Sequence, residues 1–383
     1  MINITDKSQC CGCTACASIC SHHAITMHPD DLGFLYPVVN REKCVDCGMC
    51  NKVCAFNEQY DKEHNLFEPE VYAVRHKDMN EVETSRSGAA FIALSDWILE
   101  QGGVVYGAGY GEHFRVIHKR ATTKEERDEF KGSKYVQSDL NTIFVQIKKD
   151  LKRSLYVLFS GTPCQTSGLQ SYLKELRVNV EKLFIIDLVC HGVPAPYIWR
   201  DYLAYIERKM NEKAVSVSFR NKSRAGWNSY LETFTFLNKT IVRTTYRDLF
   251  YSNIMLRSSC GLCPFTNFVR PSDLTIGDFW GWEKLNSNIN ADNKGVSLLL
   301  VNTRKGKFLF ERVRDNFIHV KTDIEHCVQP NLQNPSIISP LRDKFEKDYI
   351  EKGFVYCGKK YGDMGLKYVI IDILRTIKHK LFF

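Results

Sequence analysis

The chain has 383 residues, 44% of them hydrophobic and 25% charged, the make-up of a globular protein with core enough for more than one domain. That excludes a disordered or fibrous chain. The formal net charge of +8, from 52 basic and 44 acidic residues, is too mild an excess to argue for a nucleic-acid partner.

The opening Met1-Ile-Asn-Ile-Thr-Asp-Lys7 holds no apolar stretch, so no secretory leader is expected. No apolar run reaches the roughly 18 residues that a membrane-spanning helix needs. The expected location is therefore cytoplasmic. Thiols stay reduced there, so the 15 cysteines point to metal or redox chemistry and not to a disulfide scaffold.

Cysteines at 10, 13, 16 and 20, and again at 44, 47, 50 and 54, repeat the spacing C-x2-C-x2-C-x3-C, with Cys11 left over. This run holds two [4Fe–4S] clusters in bacterial ferredoxins. Three closely spaced thiolates wrap one face of a cubane. The fourth, a helical turn further on, points away to the other cluster. The spacing assigns Cys10, Cys13, Cys16 and Cys54 to one cluster, and Cys44, Cys47, Cys50 and Cys20 to the second. Structural zinc usually sets two C-x2-C pairs further apart. The fourth cysteines precede Ser21 and Ala55, where ferredoxins usually carry proline. Cys11 reads as a spectator thiol, and His22, His23 and His28 as surface residues. Such a module moves single electrons and breaks no bonds by itself.

Residues 55–70 are polar and acidic and read as a linker. From Val71 the pattern turns α/β. Strands are expected over 71–74, 103–107, 114–118, 155–159 and 183–189. Helices are expected over 89–101, 140–151, 165–176 and 197–210. An antiparallel section follows over 214–242, then strands over 273–276 and 296–302. In the tail, Leu366, Val369, Ile370, Ile373, Leu374 and Ile377 line one side of a helix, with Lys367, Arg375, Lys378 and Lys380 on the other. This basic amphipathic helix, 366–380, suits either docking on its own domain or peripheral contact with an anionic membrane.

Four more cysteines sit in suggestive places. Cys164 lies between a strand and a helix in Ser160-Gly-Thr-Pro-Cys-Gln165. Cys190 ends a strand and opens Cys190-His-Gly-Val-Pro194. Cys260 and Cys263 form Cys260-Gly-Leu-Cys263. Neighbouring strand ends could bring them together. Spacing alone leaves a third cluster, a zinc site and buried spectators open. It also leaves open a nucleophilic Cys164, activated by a helix N-terminus and His191.

The order of several segments resembles the coenzyme F420 hydrogenase/dehydrogenase beta-subunit family of iron–sulfur flavoproteins. The resemblance runs from about Glu70 to Val320. It is carried by Ser85-Arg-Ser-Gly88, Phe130-Lys-Gly-Ser-Lys-Tyr135, Ser160-Gly-Thr-Pro-Cys-Gln165, Asp187-Leu-Val-Cys-His-Gly-Val-Pro194, Ser218-Phe-Arg-Asn-Lys222, Arg257-Ser-Ser-Cys-Gly-Leu-Cys263 and Ser272-Asp-Leu-Thr-Ile-Gly-Asp-Phe-Trp-Gly281. It implies that Cys164, Cys190, Cys260 and Cys263 ligate a third [4Fe–4S] cluster and that the central domain binds FAD. Some family members use coenzyme F420, and a plant relative works with ferredoxin. A shared fold does not fix the substrate.

Ser87-Gly88 precedes a helix whose N-terminus could take the FAD pyrophosphate. Gly132, Ser133, Lys134 and Tyr135 offer a tight turn, a hydroxyl, a cation and an aromatic face. Ser-x-Ser-Gly is equally an ordinary helix cap and Gly-Ser-Lys an ordinary turn. Gly107-x-Gly109-x-Gly111 lacks dinucleotide spacing and is rejected as a nucleotide loop. Asp278 is a cofactor-side residue or a turn former. Trp227 and Arg224 line a substrate opening or serve packing and solvent.

The expected fold is an α+β N-terminal ferredoxin-like dicluster module (1–60), a linker (61–70), a larger mixed α/β flavin- and cluster-binding domain in two stretches (71–153 and 154–325), and a C-terminal extension (326–383) with the amphipathic helix. The expected function is an iron–sulfur flavoprotein oxidoreductase passing electrons between [4Fe–4S] clusters and FAD, with ferredoxin or another redox protein as partner. Its substrate is a deazaflavin coenzyme or a small-molecule or lipid-linked compound, in the cytoplasm or at the inner membrane face. No catalytic residue is singled out. The alternative is a non-catalytic electron-transfer subunit of a larger complex.

Overall fold

A computed structural model describes residues 1–56, 68–223 and 226–365. The tail helix expected over 366–380, Arg224 and most of the expected linker lie outside the described residues.

The N-terminal module runs α1 (Ala15–Ile19), β1 (Ile25–Pro29), β2 (Leu35–Val39) and α2 (Met49–Lys52). β1 and β2 pair antiparallel, Ile25 opposite Val39. Asp30 sets the hairpin turn, its Oδ1 accepting from the N–H groups of Leu32 (3.1 Å) and Phe34 (2.9 Å). The turn's two apolar residues, Leu32 and Phe34, insert fully buried into the core of the main domain.

That domain is built on one eight-stranded sheet. Its strands are β3 (Glu70–His76), β4 (Val104–Tyr110), β5 (Val116–Ala121), β6 (Val157–Gly161), β7 (Leu183–Leu188), β11 (Leu274–Asp278), β12 (Ser297–Val301) and β13 (Phe317–Thr322). A separate three-stranded antiparallel sheet holds β8 (Ser216–Ser218), β9 (Glu232–Thr235) and β10 (Thr240–Arg243), within the section expected to be antiparallel. The main sheet runs β13-β3-β12-β11-β7-β6-β4-β5. β4, β6, β7 and β11 are parallel, and the strands outside them are antiparallel. Every side chain of β12 is buried, as a central strand covered on both faces requires.

The helices of the described chain continue with α3 (Met79–Thr84), α4 (Ala90–Glu100), α5 (Lys124–Asp128), α6 (Ile143–Lys152), α7 (Pro163–Glu175), α8 (Pro196–Met210), α9 (Thr245–Tyr251), α10 (Arg304–Val313) and α11 (Arg342–Lys360). α4 and α10 cover one face of the sheet, where Ala93, Leu94 and Ile98 meet Leu309 and Phe310. α6 and α7 cover the other. Most of the outer side of α7 is kept from water. It shares a core with the N-terminal module, in which Cys13, Ala15, Cys16, Ile19 and Val53 pack with Phe144, Leu169 and Tyr172. Gly168 of α7 makes this approach possible, since a Cβ there would lie 2.7 Å from Cys13 Sγ. The seam is also tied by the Ser171 hydroxyl, which donates to the Val53 carbonyl at 2.9 Å.

Candidate functional site

Parallel neighbours β6 and β7 end at the same sheet edge. Just past β6, Thr162 starts α7, and its N–H is taken by Gln165 Oε1 at 3.0 Å. Cys164 thereby sits in the first turn of α7. Cys190 lies two residues beyond β7. Cys260 lies in a tight helical turn, Ser258–Leu262, and Cys263 directly follows it, so neither comes from a strand end. The four thiols are close enough to perturb one another. Burial and then the neighbouring thiols push Cys190, Cys260 and Cys263 up to about 12. Cys164 is pushed well above the ordinary thiol range, first by a hydrogen bond with Cys11 and then by burial. This speaks against the nucleophile reading, which needs a depressed thiol. His191 does not help it, because burial lowers its basicity. Among the described residues no three Cys, His, Asp or Glu side chains are gathered tightly enough to grip one ion as they stand. The donor set nonetheless suits a third cluster: four convergent thiols, and a Val193 N–H donating to Cys260 Sγ at 3.4 Å.

Cys11 is no bystander in this arrangement. It is 6% exposed, and its thiol hydrogen-bonds with those of Cys13 and Cys164, so it stands between the two cysteine systems. Two further side chains lace the same joint. Gln137 Nε2 donates to the Cys11 carbonyl at 2.8 Å. Arg257 has no exposed surface, and its Nη1 donates to Gln137 Oε1 at 2.9 Å. Arg257 Nε donates to the Cys10 carbonyl at 2.7 Å, and Nη2 donates to the Leu35 carbonyl at 2.9 Å and to Cys10 Sγ at 3.5 Å. Its guanidinium lies 4.1 Å over the Tyr36 ring. Sequence reasoning quoted Arg257 in a motif and gave it no role. Gln137 left no signal.

In the N-terminal module, the field of Cys10 and Cys54 reaches Cys16, which is buried and pushed above the usual thiol range by burial first. Cys44 and Cys50 face the amino terminus, where the Ile2 N–H donates to Cys50 Sγ at 3.2 Å. The Ala24 N–H donates to Cys20 Sγ at 3.3 Å. Cys47 is exposed. The thiols thus run from a buried set beside α7 to one that reaches the surface.

On the other side of Cys190 lies a cavity of about 350 Å³. Cys190 and His191 stand in its wall, as do Ser87, Gly132, Ser133, Lys134 and Tyr135 of the expected flavin residues. Gly88 does not line it. Its N–H donates to Ser297 Oγ at 2.8 Å, and a Cβ there would fall 2.3 Å from the Val74 carbonyl oxygen. Gly88 is therefore a packing glycine that lets the loop press on β3 and β12. Ser87 spends its hydroxyl on the Val296 carbonyl at 2.6 Å. Gly107 does line the cavity, but as part of β4, because a Cβ would meet the Phe130 ring at 2.7 Å.

The polar groups of the cavity are held in defined states. Desolvation pulls the Lys134 ammonium down to about 7 while its Nζ donates to the carbonyls of Lys131 (3.0 Å) and Gly132 (3.3 Å). Burial lowers His118 to about 4, so it is neutral. Its Nε2 pairs with the Ser160 carbonyl at 3.0 Å and its Nδ1 with Ser138 Oγ at 2.9 Å, which makes Nε2 the protonated nitrogen. Asp278 lines the cavity and pairs with Arg220 at 2.6 Å. Trp227 is buried and donates to Asp278 at 3.2 Å, so it is a packing residue. Arg86 gives its Nη2 to the Trp227 carbonyl, while its Nε and Nη1 are buried without a partner. Arg86 and the first residues of α4, Ala90, Phe91 and Ile92, line the same cavity, and the first N–H groups of a helix lack intrahelical acceptors. Both features suit a pyrophosphate, and the cavity's size suits a cofactor.

Residues 155–325 match the family model for the C terminus of the beta subunit of coenzyme F420 hydrogenase/dehydrogenase, and residues 9–57 match that of the 4Fe-4S dicluster domain. None of the curated proteins matches the chain. Among solved structures, a chain of the xenon-derivatised F420-reducing [NiFe] hydrogenase complex from Methanosarcina barkeri matches at a TM-score of 0.47 and 16% identity, covering 80% of this chain and 97% of that one.

Proposed function

We propose that this chain, a coenzyme F420 hydrogenase/dehydrogenase beta-subunit-like protein carrying its own 4Fe-4S dicluster domain, is an iron–sulfur flavoprotein oxidoreductase. It passes electrons between an outside redox partner and an organic substrate at FAD. The observation that carries this reading is Cys190, which belongs both to the cavity wall and to the four-thiol set. That set touches the dicluster module through Cys164 and Cys11.

FAD, when bound, supplies the exchange between two-electron organic chemistry and one-electron cluster chemistry. The chain's own residues do the rest. Arg86 and the N-terminus of α4 hold the pyrophosphate. Lys134 holds a proton at Nζ beside the cofactor. An approaching anion raises its pKa from about 7, so the proton is retained when negative charge gathers nearby. Tyr135, Tyr230 and Trp280 exclude water from the same wall.

Anaerobic purification with iron, sulfide and flavin counted tests this. The expected content is about twelve irons and about one FAD per chain. Iron without flavin overturns the enzyme reading and leaves an electron-transfer subunit. About eight irons removes the cluster beside the cavity.

A further inference from the structure

One charged group in the cavity is left short of partners. Arg220 follows β8, lines the cavity, and has a side chain only 5% exposed. Its Nη1 donates to Asp278 Oδ2 at 2.6 Å and to Tyr135 Oη at 3.3 Å. Its Nε and Nη2 are buried and have no hydrogen-bond partner. Burying such donors unpaired is costly, so an acceptor is missing from this edge. Asp278 is not that acceptor, because it meets Arg220 through Nη1 alone and neither of its oxygens reaches Nε or Nη2.

The geometry of the free edge specifies the acceptor. Nε and Nη2 are the two parallel N–H donors on one side of a guanidinium, the fork that meets both oxygens of a carboxylate. The guanidinium lies 4.1 Å over the Tyr230 ring and 5.7 Å from Trp280. Tyr230 and Trp280 themselves stack at 20°. The surroundings of the guanidinium are flat and aromatic. This is a setting for a planar organic group and not for a hydrated inorganic anion. The pyrophosphate donors, Arg86 and the start of α4, are a separate set.

We propose that Arg220 is the substrate-recognition residue of this cavity, and that its Nε–Nη2 edge binds the carboxylate of a planar organic substrate against Tyr230 and Trp280. The proposal rests on the flavoprotein reading, because it presumes that the cavity's other anion donors serve the cofactor.

Benzoate, a planar carboxylate, is the probe. Its binding to the holoprotein is followed by calorimetry, which needs no flavin, and by the visible spectrum of the flavin. Benzoate is expected to bind the wild type, and Arg220→Gln to weaken it about tenfold or more with flavin content unchanged. Arg220→Lys keeps a cation for Asp278 and loses the fork, so a folded Lys variant with the same loss excludes simple unfolding. Arg86→Gln is expected to lose flavin and keep benzoate. No benzoate binding by the wild type, or equal benzoate affinity in both Arg220 variants and the wild type, overturns the proposal. So does stronger binding of inorganic phosphate than of benzoate, or loss of flavin from Arg220→Lys, which would give the edge to the cofactor. A wild type without flavin defeats the flavoprotein reading alone, while calorimetry still reports on Arg220.

Discussion

Glu232 of β9 shows what burial does to a single charge in this molecule. Its carboxyl is 1% exposed and accepts from Tyr202 Oη at 2.9 Å and from the Arg247 N–H. Desolvation outweighs both bonds and lifts its pKa to about 7 from 4.5. Between those two values the folded state holds a proton that the unfolded state has released. Stability from this group is therefore full at acid pH and falls as pH rises toward 7. Glu232→Gln removes the charge and keeps one acceptor oxygen for the Arg247 N–H, with the Tyr202 hydroxyl turning to accept from the new amide. The variant is expected to gain roughly 1–3 kcal/mol over wild type at pH 8 and little at pH 5. Thermal midpoints taken anaerobically at both pH values check this, and equal pH slopes in the two proteins would contradict it. Gly88 makes the complementary point about legibility. A glycine in Ser85-Arg-Ser-Gly88 is visible as a backbone requirement, but not which neighbour imposes it. Its missing Cβ is demanded by the Val74 carbonyl at 2.3 Å, with the cavity playing no part. Gly88→Ala is accordingly expected to abolish soluble expression, because backbone cannot yield there. Recovery of folded Gly88→Ala protein that merely lacks flavin would restore the cofactor role.

The start of α7 joins the cavity to the thiols through one side chain. Gln165 Oε1 accepts the Thr162 N–H at 3.0 Å, and its Nε2 donates to Ser138 Oγ at 3.0 Å. Ser138 in turn pairs with His118. Gln165→Ala strands a helix-start N–H and takes one of two partners from the half-buried Ser138 hydroxyl, an expected loss of about 1–3 kcal/mol. Since Cys164 lies in the same turn, the electron paramagnetic resonance of the cluster proposed there should broaden while the dicluster signals stay sharp. Uniform change in all signals would point to general loosening instead. The strand–helix alternation around α7 could be read from the sequence to within about three residues, because apolar period switches there between 2 and 3.6. α10 was missed. Its buried stripe of Gly306, Leu309, Phe310 and Val313 has helical spacing, but a glycine stands at the first position and four cations surround it. That glycine lies against the Asp273 carbonyl, 2.1 Å from where a Cβ would be, a tertiary demand with no local signature. The sheet order was equally out of reach. β3 inserts between β12 and β13, more than two hundred residues away in sequence, and no local pattern encodes such pairing.

At the scale of the whole molecule, the ferredoxin-like spacing was the most legible feature, and how it is mounted the least. Residues 9–57 match the 4Fe-4S dicluster domain model, yet they are not a bead on a string. Their inner side is part of the α6–α7 core, and their hairpin turn is buried under α8. Arg257 then clamps the joint with four hydrogen bonds, three of them to carbonyl or amide oxygens. This rigid mounting leaves Cys47 and its neighbours as the surface-facing end. The net charge also takes on a different sense. Each oxidised cubane with four thiolates carries about −2, so the three proposed clusters would add about −6 and offset most of the formal excess. If electrons enter at the exposed end, removing that cluster must cut the supply while sparing the cavity. Cys44→Ser with Cys47→Ser is therefore expected to lose about four irons, retain flavin, and keep direct photoreduction of the flavin by deazaflavin and light. Reduction of the same flavin by a reduced bacterial ferredoxin should slow by about a hundredfold or more, as the path then lacks its outer station. A double variant that accepts electrons from ferredoxin at the wild-type rate would place entry at the cavity itself. The exposed cysteines would then be a structural mount and not the terminal of a wire.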